Sequence, residues 1–232
     1  MLILAIDAST IAASAAILDE EKLHGEIYTD YKLKHSEKLL PLVDTLLNDL
    51  RMTMQQMDVF ALSEGPGSFT GLRIEAATAK AFAHACDKPI IGVSTLEACA
   101  YFQGRFSGFI CPILDAQQNS VYGALFENTN GALRRETADA AIPLMDLIDQ
   151  IPSDSNVLFC GDAVKKFHAQ IVERISTHAF FANHSTMMPR ASAVAEIALY
   201  KMQNGVSSDY KTFLPNYIRV SQAEANYEIK LD

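Results

Sequence analysis

Leu2-Ile3-Leu4-Ala5-Ile6-Asp7 opens the chain, and Phe109-Ile110-Cys111-Pro112-Ile113-Leu114-Asp115 stands near its middle. Each is a short apolar run that stops on an aspartate. Runs of this length, apolar at every position rather than at every second one, read as strands covered on both faces. The segments after the two runs are alike as well. After Asp7, residues 12–18 and 22–30 have strand composition, and Asp19-Glu20-Glu21 between them reads as a hairpin turn. After Asp115, residues 121–127 and 133–140 are strand candidates, joined by the turn Asn128-Thr129-Asn130-Gly131.

The helical signals fall in the same order in both parts. Ser36 offers an N-cap, with Leu39, Leu42, Val43, Leu46, Leu47 and Leu50 following at helical spacing and Pro41 near the first turn. Residues 59–62 read as a strand, and a helix is expected from the glycine-rich loop after it to Cys86. Residues 89–93 form another strand, and Ser94-Thr95-Leu96-Glu97 has the form of a capping box opening a short helix. The pattern breaks at residues 104–108, which divides the chain into 1–106 and 107–232. The second part continues with a helix at 143–151, a strand at 156–160, a helix after Gly161-Asp162, a strand at 178–182 and a helix at 189–204 closed by Gly205. Both parts read β-β-β-α-β-α-β-α. Two such α/β halves facing a cleft describe the actin-like (ASKHA) architecture of actin, hexokinase and Hsp70. Residues 210–232 have little periodicity and are expected to cross back over the first half or run along the surface.

With 232 residues and 49% hydrophobic residues, the chain can bury one large core or two smaller ones meeting at a cleft. The net charge of −9, without a basic stripe, argues against a free-standing nucleic-acid binder; any RNA contact is expected to pass through another protein. Asp7 ends the first apolar run and no basic segment precedes it, so no secretory signal is expected, and no stretch has the roughly 18 apolar residues of a membrane span. The cysteines Cys86, Cys99, Cys111 and Cys160 include no Cys-x-x-Cys pair and read as reduced, mostly buried thiols. The histidines include no His-x-x-x-His or His-Glu-x-x-His, so no metal site is expected.

Three places could carry chemistry. Asp7-Ala8-Ser9-Thr10 lies where actin-like ATPases have an aspartate, then a glycine, then Thr or Ser, the glycine letting amides approach a phosphate. Ser9 stands in the glycine's place. Asp115-Ala116-Gln117-Gln118 is the matching turn of the second half, and Gly161-Asp162 opens a helix at a position that often faces adenosine. Asp7, Ser9, Thr10, Asp115 and Gly161 are therefore candidate nucleotide contacts; the alternative is that aspartate serves there only as a turn residue. Gly65-Pro66-Gly67-Ser68-Phe69-Thr70-Gly71-Leu72-Arg73 is the most distinctive stretch. It is neither a P-loop nor Gly-x-Gly-x-x-Gly, because no Gly-Lys follows and the third glycine comes one position late. It reads as a shaped loop at a helix start, able to meet an anion or simply to turn tightly.

The helix after it has alanines on every side: Ala76, Ala77, Ala79, Ala81, Ala83 and Ala85. A helix apolar all round is expected to be covered all round. The leucine-rich helix before it is expected to supply part of the cover and a second chain the rest; the alternative is that the whole cover comes from this chain. The expected interface is Leu39, Leu42, Val43, Leu46, Leu72, Arg73, Ala76, Ala79, Lys80 and Ala83.

His35-Ser36-Glu37-Lys38-Leu39-Leu40-Pro41, the Gly65–Arg73 stretch with Ile74, Ala79-Lys80 and Gly92-Val93-Ser94-Thr95-Leu96-Glu97 together resemble the bacterial TsaB (YeaZ) family of threonylcarbamoyladenosine biosynthesis proteins. Asp115-Ala116, Val121-Tyr122 and Pro215-Asn216-Tyr217-Ile218-Arg219 fit the same family, so the resemblance spans nearly the whole chain. It implies a cytoplasmic, actin-like, non-catalytic subunit. Such a subunit works with a catalytic paralogue, TsaD, and an ATPase, TsaE, to place a threonylcarbamoyl group on N6 of adenosine 37 in tRNA. It also implies a homodimer when the partner is absent, tRNA contact through the complex, no membrane, and no cofactor required by this chain, with ATP or ADP conceivable at a subunit junction. The paralogue's metal-binding His-x-x-x-His would fall on Thr95 and Cys99, and neither residue can replace the pair of imidazoles.

Two departures stand out. Family members often have Asp-Ala-Arg-Arg where this chain has Asp115-Ala116-Gln117-Gln118, and many have glycine at the position of Glu75. The first removes positive charge from the second turn; the second puts a carboxylate near the helix start, which suits the dipole but repels an anion. Two other readings compete with the subunit: an independent ATPase or sugar-type kinase resting on Asp7, Asp115 and Gly161-Asp162, and a metallopeptidase resting on distant family naming.

Overall fold

The structure, a computed structural model, describes residues 1–31 and 35–219, and for residues 35–38 the backbone alone. The expected cap at Ser36 and the tail beyond residue 219 lie outside the described side chains and residues. The first sheet contains β1 (Ile3–Asp7), β2 (Ala13–Leu18), β3 (Leu23–Thr29), β4 (Val59–Gly65) and β5 (Ile90–Ser94), in the order β3-β2-β1-β4-β5. β1 to β3 form an antiparallel meander, whereas β4 and β5 continue from β1 in parallel. β1 lies in the middle of the sheet, which explains its unbroken apolar sequence. Leu4 and Ile6 face the helices α1 (His35–Leu50) and α2 (Phe69–Cys86), while Ile3 and Ala5 face α6 (Ala191–Gln203). α1 begins at His35, so Pro41 sits inside the helix rather than near its first turn, with its ring on an exposed position.

The second sheet runs β10-β7-β6-β11-β12, with β8 and β9 as a side hairpin on β6. Its strands are β6 (Gly108–Asp115), β7 (Ser120–Gly123), β8 (Phe126–Thr129), β9 (Ala132–Arg135), β10 (Ala140–Pro143), β11 (Val157–Cys160) and β12 (Ala179–Phe181). The two strands expected at 121–127 and 133–140 are therefore four. The cause lies on β6. Phe109 N–H donates toward β11, to the Asn156 carbonyl, so by alternation residue 112 points toward β7 and β8, and it is a proline without an N–H. The ladder opens there: β8 pairs with residues 108–110, β7 with residues 113–115, and Ala124-Leu125 cross the gap. Asn130-Gly131 makes the β8–β9 turn with both φ angles positive, 55° and 86°, as a tight hairpin of this hand requires.

Helices are exchanged between the sheets. α4 (Leu144–Ile148) and α5 (Val164–Ile175) cover one face of the second sheet, and its other face is covered by α3 (Thr95–Tyr101) from the first half, through Leu96, Cys99 and Ala100. α6, from the second half, packs on the first sheet through Ala191, Val194, Ala195 and Ala198. Its small residues let the helix lie close to β1 and β2. Arg190 at the N-cap of α6 makes no capping bond; side chains of the sheet do so instead. Ser14 Oγ accepts from Ala191 N–H at 2.9 Å, and Glu26 on β3 accepts from Ser192 N–H and Oγ at 3.0 and 2.7 Å and from Arg190 Nη1 at 3.1 Å. Among the described residues, no helix is long and apolar enough to cross a membrane.

Removing Glu26 strands the Ser192 amide at the start of a buried helix and leaves Ser192 Oγ and Arg190 without that partner. Glu26→Ala is expected to cost about 1–3 kcal/mol of unfolding free energy in urea melts, and Glu26→Gln less. A loss below about 0.5 kcal/mol for the alanine variant, the range of an ordinary surface change, would rule this role out.

Candidate functional site

Both sheets point the C-terminal ends of their central strands into one cleft of about 820 Å³. That is where α/β folds place ligands, because strands end there and loops are free to vary. Ser9, Thr10, Phe69 and Thr70 line it from the first half, and Asp115, Gln117, Tyr122 and Asp162 from the second. Among the candidate nucleotide contacts, Ser9, Thr10 and Asp115 share this cleft. Asp7 and Gly161 lie behind it.

The first turn is closed on itself. Ser9 Oγ donates to Asp7 Oδ1 at 2.6 Å, and Asp7 and Ser9 are both fully buried. The glycine-rich loop lies directly on the turn: Ser68 N–H donates to the Ser9 carbonyl at 2.7 Å. A Cβ on Gly67 would stand 2.3 Å from the Ser9 carbonyl oxygen, and one on Gly71 would stand 2.1 Å from that of Ala8. The glycines are thus required by backbone approach. α2 then starts at Phe69 with Ser68 as its N-cap, the Oγ accepting from Gly71 N–H at 3.2 Å.

Glu75 has a different place from the one expected. It does not face the cleft at all. It is fully buried, and its two oxygens accept from Ser63 N–H at 2.6 Å and Ala8 N–H at 3.0 Å. One carboxyl therefore ties α2 to the ends of β1 and β4. Burial, with the neighbouring Asp7 carboxylate, holds the Glu75 carboxyl well above the ordinary carboxylate range, against the two amide bonds that favour its charged form.

The second turn is less bare of positive charge than its sequence. Lys166 Nζ, from α5, donates to Asp115 Oδ1 at 2.9 Å, and Arg219 donates to the Ala116 carbonyl. Neither could be assigned to this turn from sequence, since they come from positions 51 and 103 residues away. Asp162 accepts from Asp115 N–H at 2.8 Å, and burial raises its carboxyl above the usual value. Gly161, at φ +101°, would place a Cβ 2.1 Å from the Ile113 carbonyl oxygen, so it is a packing glycine of the β11–α5 connection.

The expected interface residues divide by exposure. Leu39, Val43, Leu46, Leu72, Ala76, Ala79 and Ala83 are buried within the chain's own fold, Leu72 beside the cleft and the others packed between α1, α2 and the first sheet. Leu42 is partly buried, Lys80 donates to the Phe213 carbonyl at 2.8 Å, and Arg73 is exposed with its guanidinium 4.0 Å from the Phe69 ring centre. α2 shows Ala77, Ala81 and Ala85 to solvent, and α1 shows Leu40, 53% exposed.

Thr95 and Cys99 are both fully buried on α3, and the Cys99 Sγ lies 3.4 Å from that of Cys160 on β11. All four cysteines are free thiols. Among the described residues, no group of three His, Cys, Asp or Glu side chains is placed to hold a metal ion.

Because Glu75 binds its proton more tightly in the folded chain than the ordinary value of 4.5, its contribution to stability is complete below pH 4.5 and is lost as pH rises through its folded value. Urea melts of wild type and Glu75→Gln from pH 4.5 upward are expected to show wild type losing its advantage as pH rises. A difference that stays constant or grows with pH would contradict the assignment.

Residues 23–227 match the family described as "TsaD: tRNA N6-adenosine threonylcarbamoyltransferase". A Bacillus subtilis (strain 168) protein named tRNA threonylcarbamoyladenosine biosynthesis protein TsaB is 35% identical over 229 residues, which is 98% of each chain. The solved structure of YeaZ from Pseudomonas aeruginosa is 25% identical with a TM-score of 0.78, covering 93% of this chain and 99% of that one. A ROK hexokinase from Thermus thermophilus shares the fold alone, with 9% identity and a TM-score of 0.51 over 88% of this chain and 100% of its own. The duplicated halves are thus those of the actin-like fold, and on end-to-end similarity the chain belongs to the TsaB (YeaZ) family of tRNA threonylcarbamoyladenosine biosynthesis proteins.

Proposed function

We propose that this chain is a non-catalytic subunit of the cytoplasmic machinery that places threonylcarbamoyl on N6 of adenosine 37 in tRNA. It scaffolds and activates a catalytic TsaD-type paralogue, together with a TsaE-type ATPase. The observation that carries this reading is the match to the Bacillus subtilis TsaB protein over 98% of both chains. The residues themselves add support. The two positions at which the paralogue carries histidines are a buried threonine and a buried thiol, and the first cleft turn spends its hydroxyl on its own aspartate.

The partner surface in this reading is the outer face of α1 and α2. Ala77, Ala81 and Ala85 repeat every four residues on the exposed side of α2, beside Arg73. Small residues let another helix approach closely, and a bare apolar strip gains by being covered. The same surface would pair two copies of this chain when the paralogue is absent. The net charge of −9 suits contact with tRNA through the partners rather than directly. The chain itself requires no cofactor in this reading, and any ATP or ADP belongs at a subunit junction.

Depletion of the protein followed by mass spectrometry of tRNA nucleosides is expected to remove most threonylcarbamoyladenosine; an unchanged level would overturn the proposal. For the surface, Ala81→Glu is expected to fold normally, because the position is exposed. In pull-downs it should weaken association with the paralogue at least about tenfold, the effect of one unpaired charge of about 1.4 kcal/mol at an interface. Unaltered binding would move the interface elsewhere.

A further inference from the structure

The segment after α6 runs back over the first half and reaches the cleft at residues 216–219, and among the described residues its hold on the two halves is unequal. On the first half it is tied at several places. Ser208 exchanges two backbone hydrogen bonds of 3.0 Å with Ile90, and Asn216 N–H donates to the Glu64 carbonyl at 2.7 Å. Phe213 is buried against the first core, and its carbonyl accepts from Lys80. Two glycines make room for it. A Cβ on Gly92 would stand 2.8 Å from the Phe213 ring, and one on Gly65, at φ +119°, would stand 2.5 Å from the Asn216 carbonyl oxygen. The Tyr217 ring then lies 4.9 Å from that of Phe69 at the start of α2.

The second half is reached through Arg219, which donates to the carbonyl of Ala116. The turn it touches is strained. Gln117, Gln118 and Asn119 are three successive non-glycine residues with φ of 62°, 48° and 59°, a conformation that costs each of them steric energy. Ser120 N–H, bonded to the Gln117 carbonyl at 2.9 Å, closes the turn. Asn216, Tyr217, Ile218 and Arg219 together form part of the cleft wall.

We infer that residues 208–219 are a latch across the cleft, fixed on the first half and fastened to the second by Arg219, so that release of Arg219 widens the rim between Thr70 and Gln118. The physical reason is the ordering of the attachments. Among the described residues, the hold on the second half is the Arg219 hydrogen bond at the cleft rim, and such a hold lets go before one made by a buried aromatic side chain and several backbone bonds. The strained turn gains freedom in the same step.

The test uses the full chain with Cys86→Ser and spin labels on Thr70→Cys and Gln118→Cys, both exposed positions on opposite rims. With Arg219→Ala, the label-to-label distance is expected to lengthen and its distribution to broaden, with Arg219→Lys in between. Amide exchange at Ser120 should quicken roughly ten- to a hundredfold, the equivalent of one charge-assisted hydrogen bond, while Asn216 keeps its protection. Phe213→Ala, which cuts the other anchor, should speed exchange at Asn216 and Ser120 alike. The latch is overturned by a distance distribution in Arg219→Ala that superimposes on wild type. It is equally overturned if Asn216 and Ser120 lose protection together in that variant.

Discussion

The carbonyl oxygens of Ala8 and Ser9 occupy the space into which side chains at positions 71 and 67 would project, 2.1 and 2.3 Å from the Cβ atoms that glycine lacks there. Backbone meets backbone at this point, and the rest of the molecule is arranged around the contact. It sets the height of the loop above β1 and therefore where α2 begins. Glu75, in the second turn of that helix, can then reach the amides of Ala8 and Ser63 together. The same loop turns Gly65 toward the returning C-terminal segment, whose Asn216 carbonyl fills the remaining space. A stretch that looks built for a ligand is thus a clasp holding β1, β4, α2 and the chain's last described segment together.

The clasp affects the chemistry of the cleft. A phosphate turn offers unoccupied amides and a glycine beside them. Here the Ala8 amide is bonded to Glu75, the Ser9 hydroxyl to Asp7, and the Ser9 carbonyl to Ser68. Across the cleft, Asp115 is paired with Lys166 and accepts from its own turn. The exchanged helices α3 and α6 make each sheet depend on the other half for its cover, so the two halves are joined through their cores as well as at the rim. Such a chain suits a role carried by its surfaces and by the setting of its halves.

Much of the fold was legible because central strands have no polar face. Ile3–Asp7 and Gly108–Asp115 could be read from hydrophobicity alone, and turn and cap signals gave the order of elements in the first half. The β7–β8 break was readable in principle from Pro112, but only once the side of β6 facing β7 was known. The destination of α6 was not readable: its alanines say that it is buried, not against which sheet. The same ambiguity applies to α2. Ala76 and Ala77 are neighbours of identical chemistry, and only the packing shows that one faces the core and the other water. At the cleft, Ser9 and Asp115 were found from their turns, whereas Lys166 and Arg219 reach the second turn from segments with no local signal. Glu75 misled because a carboxylate near a helix start ordinarily faces solvent.

The clasp is tested most directly by denaturant unfolding of Gly67→Ala against Gly104→Ala. At Gly104 the nearest atom to an added Cβ is 3.7 Å away, an ordinary contact. A clasp predicts a loss of more than about 2 kcal/mol for Gly67→Ala, since the added methyl must push two backbones apart, and a change within about 0.5 kcal/mol for Gly104→Ala. A Gly67→Ala protein as stable as wild type would contradict it.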